Sequence, residues 1–175
     1  KLGGMGLGPE LAADPRISPL LTAAQREVLT GPPPGKEDPA ATAAMLAMAP
    51  YLVRFNLERA SENVRRLRAA GVRILAGDDA ANFGPHGVCM HGELQLLTEA
   101  GLTPAEALTA ATRAPAEAFK LADRGRITPG ARADLVLVDG NPLVDIEATR
   151  AIVRVFKNGF DVRRAPAEPA QPRTQ

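Results

Sequence analysis

The stretch Val72-Arg-Ile-Leu-Ala-Gly-Asp-Asp-Ala80 constrains the fold more than any other. A short, mostly apolar run stops at Gly77, and two carboxylates, Asp78 and Asp79, follow at once. Strands buried on both faces read as continuous apolar runs rather than alternating ones. An apolar run that ends on acids therefore describes a buried strand delivering a carboxylate to the rim of a sheet or barrel. In a (β/α)8 barrel, that C-terminal rim is where the chemistry sits. The preceding residues agree. Leu57, Ala60, Val64 and Leu67 recur at helical spacing, with Arg and Glu on the other face. Gly71 is placed as a left-handed helix stop. Helix, tight turn and strand make one α-then-β step of an alternating α/β fold.

After Asp79 comes a loop, Asn82-Phe83-Gly84-Pro85-His86-Gly87. The spacing then predicts a helix from His91 to Ala100, with Leu94 and Leu97 inward and Gly101 as its stop. Thr103-Pro104-Ala105-Glu106 is a capping box with proline at the first helical position, opening a helix to about Ala111. A shorter helix starts at Ala114-Pro115 and ends near Leu121. From Asp123 the pattern changes to strands and turns. Leu135 to Val138 is a strand stopped by Asp139-Gly140-Asn141-Pro142. Ile152 to Lys157 alternates, Asn158-Gly159 is a two-residue hairpin signal, and Phe160 to Val162 returns.

The N-terminal 50 residues are less regular. Gly3-Gly4-Met5-Gly6-Leu7-Gly8-Pro9 is expected to form no regular element. It lacks the Lys-Ser/Thr and the preceding strand of a phosphate loop. Ser18-Pro19 opens a helical stretch, Leu20 to Leu29, and a Gly/Pro spacer follows it. Ala40 to Ala49 reads as helix.

Composition narrows the function classes. The chain has 175 residues, enough for one domain or for part of a larger one. Hydrophobic residues make up 45% and aromatics 3%, with no Trp, so the core must be aliphatic. Net charge is +1, which gives no electrostatic argument for a nucleic-acid or membrane partner. No apolar run approaches the roughly 20 residues of a membrane helix. The single cysteine, Cys89, cannot form an internal disulfide and reads as a small apolar filler. Lys1 stands where an initiator Met would be, and there is no signal-peptide pattern. The expectation is an internal start, which leaves localisation open with the cytoplasm as default.

Several pieces in fixed order resemble metal-dependent amidohydrolases. Gly77-Asp78-Asp79-Ala80 resembles their Gly-Thr-Asp-Ala signature. His91-Gly92-Glu93-Leu94 and Glu99-Ala100-Gly101-Leu102-Thr103-Pro104 resemble their His-x-Glu-Leu and Glu-Ala-Gly-Leu-Thr-Pro segments. Ala110 to Ala116 resembles Ala-Ala-Thr-x-x-Pro-Ala, and Gly125 to Val136 resembles Gly-x-Ile-x-Pro-Gly-x-x-Ala-Asp-Leu-Val. Asp139 to Leu143 and Val155 to Gly159 extend the match. The shared order and spacing run from about residue 64 to 160, nearest in flavour to the imidazolonepropionase-like and Xaa-Pro or Xaa-Arg dipeptidase-like branch.

The resemblance implies an α/β fold: a distorted (β/α)8 TIM-like barrel and a small β-sandwich built from both chain ends. Residues 1–122 would be the C-terminal part of the barrel, with Val72 to Leu75 as its last strand. Residues 123–163 would be the C-terminal strands of the sandwich, and 164–175 a disordered tail.

The resemblance also implies chemistry. Such enzymes use one or two divalent metals, most commonly zinc, to activate a water against a C–N bond. Asp79 falls where the family has a metal ligand that also serves as general base and acid. Asp78 replaces the usual Thr or Ser. Neighbouring strand residues point to opposite sides, which favours a solvent or outer role for it. Without the resemblance, Asp79 would read as a helix N-cap or turn carboxylate. His91 matches the family's pre-helix His and would orient substrate or brace the barrel mouth. A single backbone hydrogen bond at a helix start explains it equally well. His86, in its Gly/Pro loop, reads as solvated.

The family's other metal ligands are a His-x-His, a carboxylated Lys or Glu, and two further His, all preceding the Asp. Both histidines of this chain, His86 and His91, follow Asp79. A catalytic zinc needs about three protein ligands plus water. The expectation is therefore a C-terminal portion that does not retain metal, or hydrolytic activity, by itself. The alternative is a truncated, non-catalytic remnant or interaction subunit. The complete protein would act on a small amide, peptide or cyclic amide as a homo-oligomer, and the mouth segment 81–90 bears on specificity.

Overall fold

A computed structural model describes residues 8–31, 38–40, 57–78 and 87–162. Asp79, His86, most of the Ala40–Ala49 stretch and the tail from residue 163 lie outside the described residues.

Helix α1 spans Gly8–Ala13. The glycine-proline pair expected to be irregular instead starts a helix. Proline is tolerated in a first turn, where its missing N–H has no intrahelical partner to lose. A 3-10 turn, Ser18–Leu20, leads to α2, Ala23–Thr30. The helix begins later than the apolar pattern suggests because Thr22 caps it: Thr22 Oγ1 accepts the Gln25 N–H while Gln25 Oε1 accepts the Thr22 N–H. Arg26 on α2 donates to Ala12 O at 2.9 Å and to Ser18 O at 2.8 Å, locking α1, the turn and α2 together. Leu11, Ala12, Ile17 and Leu29 are buried there.

Helix α3, Leu57–Ala69, forms as its periodicity predicts and ends as Gly71 predicts. Gly71 has φ +74°, and the Val72 N–H reaches back to Leu67 O at 2.9 Å. The predicted inward face is only partly covered, however. Leu57 and Leu67 are exposed, and Val64 alone of the four packs on the described core.

The expected strand Val72–Leu75 is also corrected. Residues 72–78 form no strand ladder among the described residues, and Val72 and Leu75 are exposed. A strand needs a neighbour to exchange hydrogen bonds with. Here Ala76 N–H donates to Ala110 O at 2.9 Å instead, at the end of a helix. Ile74 and Ala76 still turn toward the core.

Helices α4 (Val88–Glu99) and α5 (Pro104–Ala111) supply most of that core, and α6 (Arg113–Ala118) follows them. Leu94, Leu97, Leu102, Ala107, Ala110 and Ile146 form its buried cluster. The aliphatic composition thus gives a core of Leu, Ile and Ala. Gly92 on α4 lets α1 dock: a Cβ at Gly92 would lie 3.0 Å from Leu11 Cδ1. The capping box before α5 is present in full, with Glu106 Oε2 accepting the Thr103 N–H at 2.7 Å. Glu106 also takes Arg68 of α3 at 2.8 Å. The Thr103 N–H first, and Arg68 next, pull its carboxyl down to about 2. Half-buried Glu117 on α6 pairs with Arg113 at 2.7 Å and with Arg73 at 3.6 Å, tying the 72–78 segment to α6.

The C-terminal module is a three-stranded antiparallel sheet in the order β1 (Leu135–Val138), β2 (Ile152–Lys157), β3 (Phe160–Asp161). Leu135 pairs with Phe156, and Phe156 with Asp161. Asn158 and Gly159 have φ +52° and +83°, the two positive angles a tight hairpin of matching twist requires. Between β1 and β2 lies a 3-10 segment, Ile146–Arg150, which returns to pack on α4. Val136, Leu137, Val153 and Phe160 are exposed, so the sheet is not closed into a sandwich among the described residues.

Candidate functional site

Helix α4 has two polar faces that do different work. Residues two positions apart on a helix are about 200° apart around its axis. Glu93 and His91 therefore point in nearly opposite directions. Cys89 and Glu93, four residues apart, share the side that meets the end of segment 72–78.

On that side, the Glu93 carboxylate faces the Gly77 backbone N–H. Glu93 is half-buried, and burial pushes its carboxyl up. The Gly77 N–H opposes this, and the charge of nearby Asp78 adds to it. The Cys89 thiol is pushed up by burial and then by Asp78, so it stays protonated near neutral pH, as an apolar filler would. Asp78 itself is exposed. Asp78 and Glu93 are oxygen donors of the kind that suits a divalent cation. They fall short in number, and the described residues contain no group of three His, Cys, Asp or Glu able to hold a metal ion.

On the opposite side, His91 and Gln95 enter a buried ionic cluster. His91 Nδ1 lies 3.1 Å from Thr149 Oγ1, and that hydroxyl donates to Ile146 O at 2.8 Å. With the hydroxyl proton directed to that carbonyl, His91 Nδ1–H is the donor. This assigns the tautomer and leaves Nε2 as an acceptor. Burial first, and then the neighbouring Arg150, push the imidazole pKa down and favour the neutral ring. Arg150 is buried and donates to Asp14 at 3.0 Å, to Glu147 at 3.3 Å and to Gln95 Oε1. Its Nε has no hydrogen-bond partner in the structure. Arg16 closes the cluster, donating to Asp14 at 2.8 Å and to Glu147 at 3.2 Å. Arg16 holds the buried Asp14 carboxyl well below the usual carboxylate range, against the opposing effect of burial.

Of the residues singled out from sequence, the structure describes Asp78, Cys89 and His91. It places Asp78 against the Glu93 side of α4 and His91 on the other. Glu93 was not singled out. Its signal was helix phase: four residues after Cys89, on a helix whose Leu94 and Leu97 are fixed inward. A depression of about 550 Å³, lined in part by Asp123, Arg132 and Asn158, belongs to the sheet module and contains none of these groups. Among the described residues no helix is long and apolar enough to cross a membrane.

Comparison with known proteins converges on one family. The profile of the amidohydrolase family matches residues 29–163. An adenine deaminase of Methylobacterium sp. (strain 4-46) is 47% identical over 69 residues, covering 39% of this chain and 11% of the relative. An imidazolonepropionase of Anaeromyxobacter sp. (strain K) is 41% identical over 111 residues, covering 59% of this chain and 25% of the relative. A crystal structure of a Xaa-Pro dipeptidase with methionine bound in its active site superposes with a TM-score of 0.55 at 31% identity, over 59% of this chain and 25% of that one. This chain thus spans between 11% and 25% of the length of these relatives. With a family match that covers most of its residues and solved neighbours that share its local fold, the chain belongs to the amidohydrolase family.

Proposed function

We propose that this chain is the C-terminal portion of a metal-dependent amidohydrolase that hydrolyses a C–N bond in a small amide, peptide or cyclic amide. The observation that carries the reading is the family match over residues 29–163, with Gly77-Asp78-Asp79-Ala80 inside it. On this reading residues 1–122 complete a TIM-like barrel. Residues 123–163 join strands from elsewhere in the complete protein to close the small sandwich, which accounts for the exposed apolar residues of the sheet.

The bound divalent metal, most simply zinc, would supply an activated water and a polarised carbonyl. Asp79 would contribute one ligand and would carry a proton from the attacking water to the leaving nitrogen. A carboxylate suits both tasks, because a nearby cation keeps it ionised. The remaining ligands come from outside the described residues. His91, neutral and tied through Nδ1 to Thr149 on the side of α4 away from Asp78, is the residue we assign to bracing the helix that follows the mouth loop. The complete enzyme is proposed to be a homo-oligomer.

The experiment is Asp79→Asn in the complete protein, assayed against N-acyl amino acids, dipeptides and cyclic amides. We expect turnover to fall by about 10²–10⁴-fold, the usual worth of a positioned proton-transfer group. Circular dichroism and the melting temperature should be unchanged. Near-normal turnover refutes the assignment. The second reading, a non-catalytic remnant or interaction subunit, is favoured by the ligand count alone. The coding frame separates the two. About 200 further upstream residues carrying His-x-His, as a barrel of about 250 residues requires, support the enzyme.

A further inference from the structure

We infer that His91 is an acid-sensitive latch between helix α4 and the C-terminal sheet module: when its imidazole takes up a proton, like charges meet in one buried cluster and the 3-10 segment Ile146–Arg150 lets go of α4. This holds whatever role Asp79 plays. Three observations carry it.

The first is where the latch sits. The 3-10 segment lies between β1 and β2, and Ala151 O, just beyond it, accepts the Asp139 N–H at 2.8 Å. Movement of the segment is therefore passed directly to the sheet. On its other side Ile146 is buried with Leu94 and Leu97 of α4. Beside that apolar contact runs a polar seam. His91 Nδ1 lies 3.1 Å from Thr149 Oγ1, and Arg150 donates to Gln95 Oε1.

The second is the balance of charge around the ring. Arg150 faces His91 from the 3-10 segment, and Asp14 and Arg16 face it from the turn after α1. Asp14 is shared by the two guanidiniums, at 2.8 Å from Arg16 and 3.0 Å from Arg150. Glu147 is shared by the same two, at 3.2 and 3.3 Å. Glu93, on α4 itself, points to the opposite side of the helix. Two carboxylates thus answer two guanidiniums, and an imidazolium would be a third cation without a counter-charge. Such an excess costs far more in a buried cluster than in water.

The third is a shortage of acceptors. Arg150 Nε has no hydrogen-bond partner. Protonation of His91 would add one more donor, Nε2–H, to a cluster with no acceptor to spare.

The direction of the response follows. Burial first, and then Arg150, push the imidazole pKa down in the closed state. The open state binds the proton more readily. The latch is therefore fully favoured above the ordinary histidine range, about 6.5, and is lost as pH falls from there through the lower closed-state value. Asp14 does not contribute in that window, because Arg16 holds its carboxyl well below the usual carboxylate range.

The test is hydrogen exchange in the complete protein at about pH 7.5 and about pH 5.5, on either side of the histidine range, with rates corrected for the intrinsic effect of pH. The Ala148 and Ala151 amides, both hydrogen-bonded within the segment, are the reporters. So short a 3-10 turn does not survive undocking. Their protection should fall by about tenfold in acid, the usual scale of one shifted titration, while the amides of α5 hold theirs. His91→Gln keeps a donor for Thr149 but takes up no proton, so it should abolish the difference. His86→Gln should preserve it. Equal protection at both pH values in the parent overturns the inference, and so does a His91→Gln variant that responds as the parent does. If His91→Gln does not fold, the ring nitrogens of His91 in the parent decide by NMR titration. A midpoint below about 6.5 that coincides with the loss of protection supports the latch, and a midpoint at or above it overturns it.

Discussion

Asp14 and Arg150 form an ion pair whose two side chains are each only 6% exposed, 3.0 Å apart. Two charges taken so far out of water hold together only if their other hydrogen-bonding atoms are satisfied too. Arg16, Glu147 and Gln95 do most of that work, while Arg150 Nε is left over. Truncating one partner of such a pair strands the other. Arg150→Ala should lower the unfolding free energy of the complete protein by about 3 kcal/mol, read from the urea midpoint. Adding Asp14→Asn should recover much of the loss. A cost below about 1 kcal/mol would mean that the cluster is solvated like a surface pair. None of this could be read from sequence, because Asp14 and Arg150 are 136 positions apart. His91 belongs to the same lesson. Its motif position was legible, but whether its ring faced the strand end or a distant arginine depended on helix phase and packing.

At the scale of elements, local signals carried far. The Thr103–Glu106 box, the Gly71 stop and the Asn158-Gly159 hairpin all form where their chemistry puts them. These devices act within a few residues, so the sequence contains all their partners. Gly125 is different, because what demands glycine there is packing against the preceding helix rather than an adjacent turn. It has φ +82°, and a Cβ there would lie 2.6 Å from Ala116 Cβ and 2.8 Å from Thr112 O. The start of α5 should also show in acid. Glu106 binds fewer protons folded than unfolded between the ordinary glutamate range, about 4.3, and its lowered value of about 2. Its contribution is therefore fully present above the ordinary range and is lost as pH falls through the folded value. Glu106→Gln should flatten that part of the stability-versus-pH curve. The effect should be small, because the side chain is 43% exposed. A mutant curve parallel to that of the parent would remove Glu106 from the acid response. The segment 72–78 is the counter-example. Its apolar run was read as a buried strand, but Val72 and Leu75 are exposed and no ladder forms among the described residues; a ladder is a property of two strands and cannot be written in one.

For the whole molecule, the consequential feature is uncovered apolar surface. Ile127 is 89% exposed, Val144 79% and Phe160 75%, alongside the half-covered face of α3. Residues of this kind grouped on one molecule promote association. This 175-residue chain, expressed by itself, should self-associate as concentration rises, which sedimentation velocity measures directly. It should also fail to bind zinc tightly at one ion per chain, because one proposed ligand is too few. A stable monomer, or tight one-to-one zinc by metal analysis, would contradict the reading as a portion of a larger barrel. The family match and the solved neighbours place the chain in the TIM-barrel-like α/β class, and its mixed helix and strand content agrees.

The sequence by itself determined the family, the order of helices and β-strands from α4 onward, the caps and turns, and the aliphatic nature of the core. Each is set by neighbours in the chain or by a motif order that survives without coordinates. Only the tertiary structure decided which residues meet across distance. It put Glu93 rather than His91 on the face of α4 that meets Gly77, bound His91 to Thr149 beside Arg150, and left residues 72–78 without a ladder. The reason is physical. Hydrogen-bond partners, burial and the fields that shift a carboxyl or an imidazole are set by distances through space, and these exist only once the chain has packed.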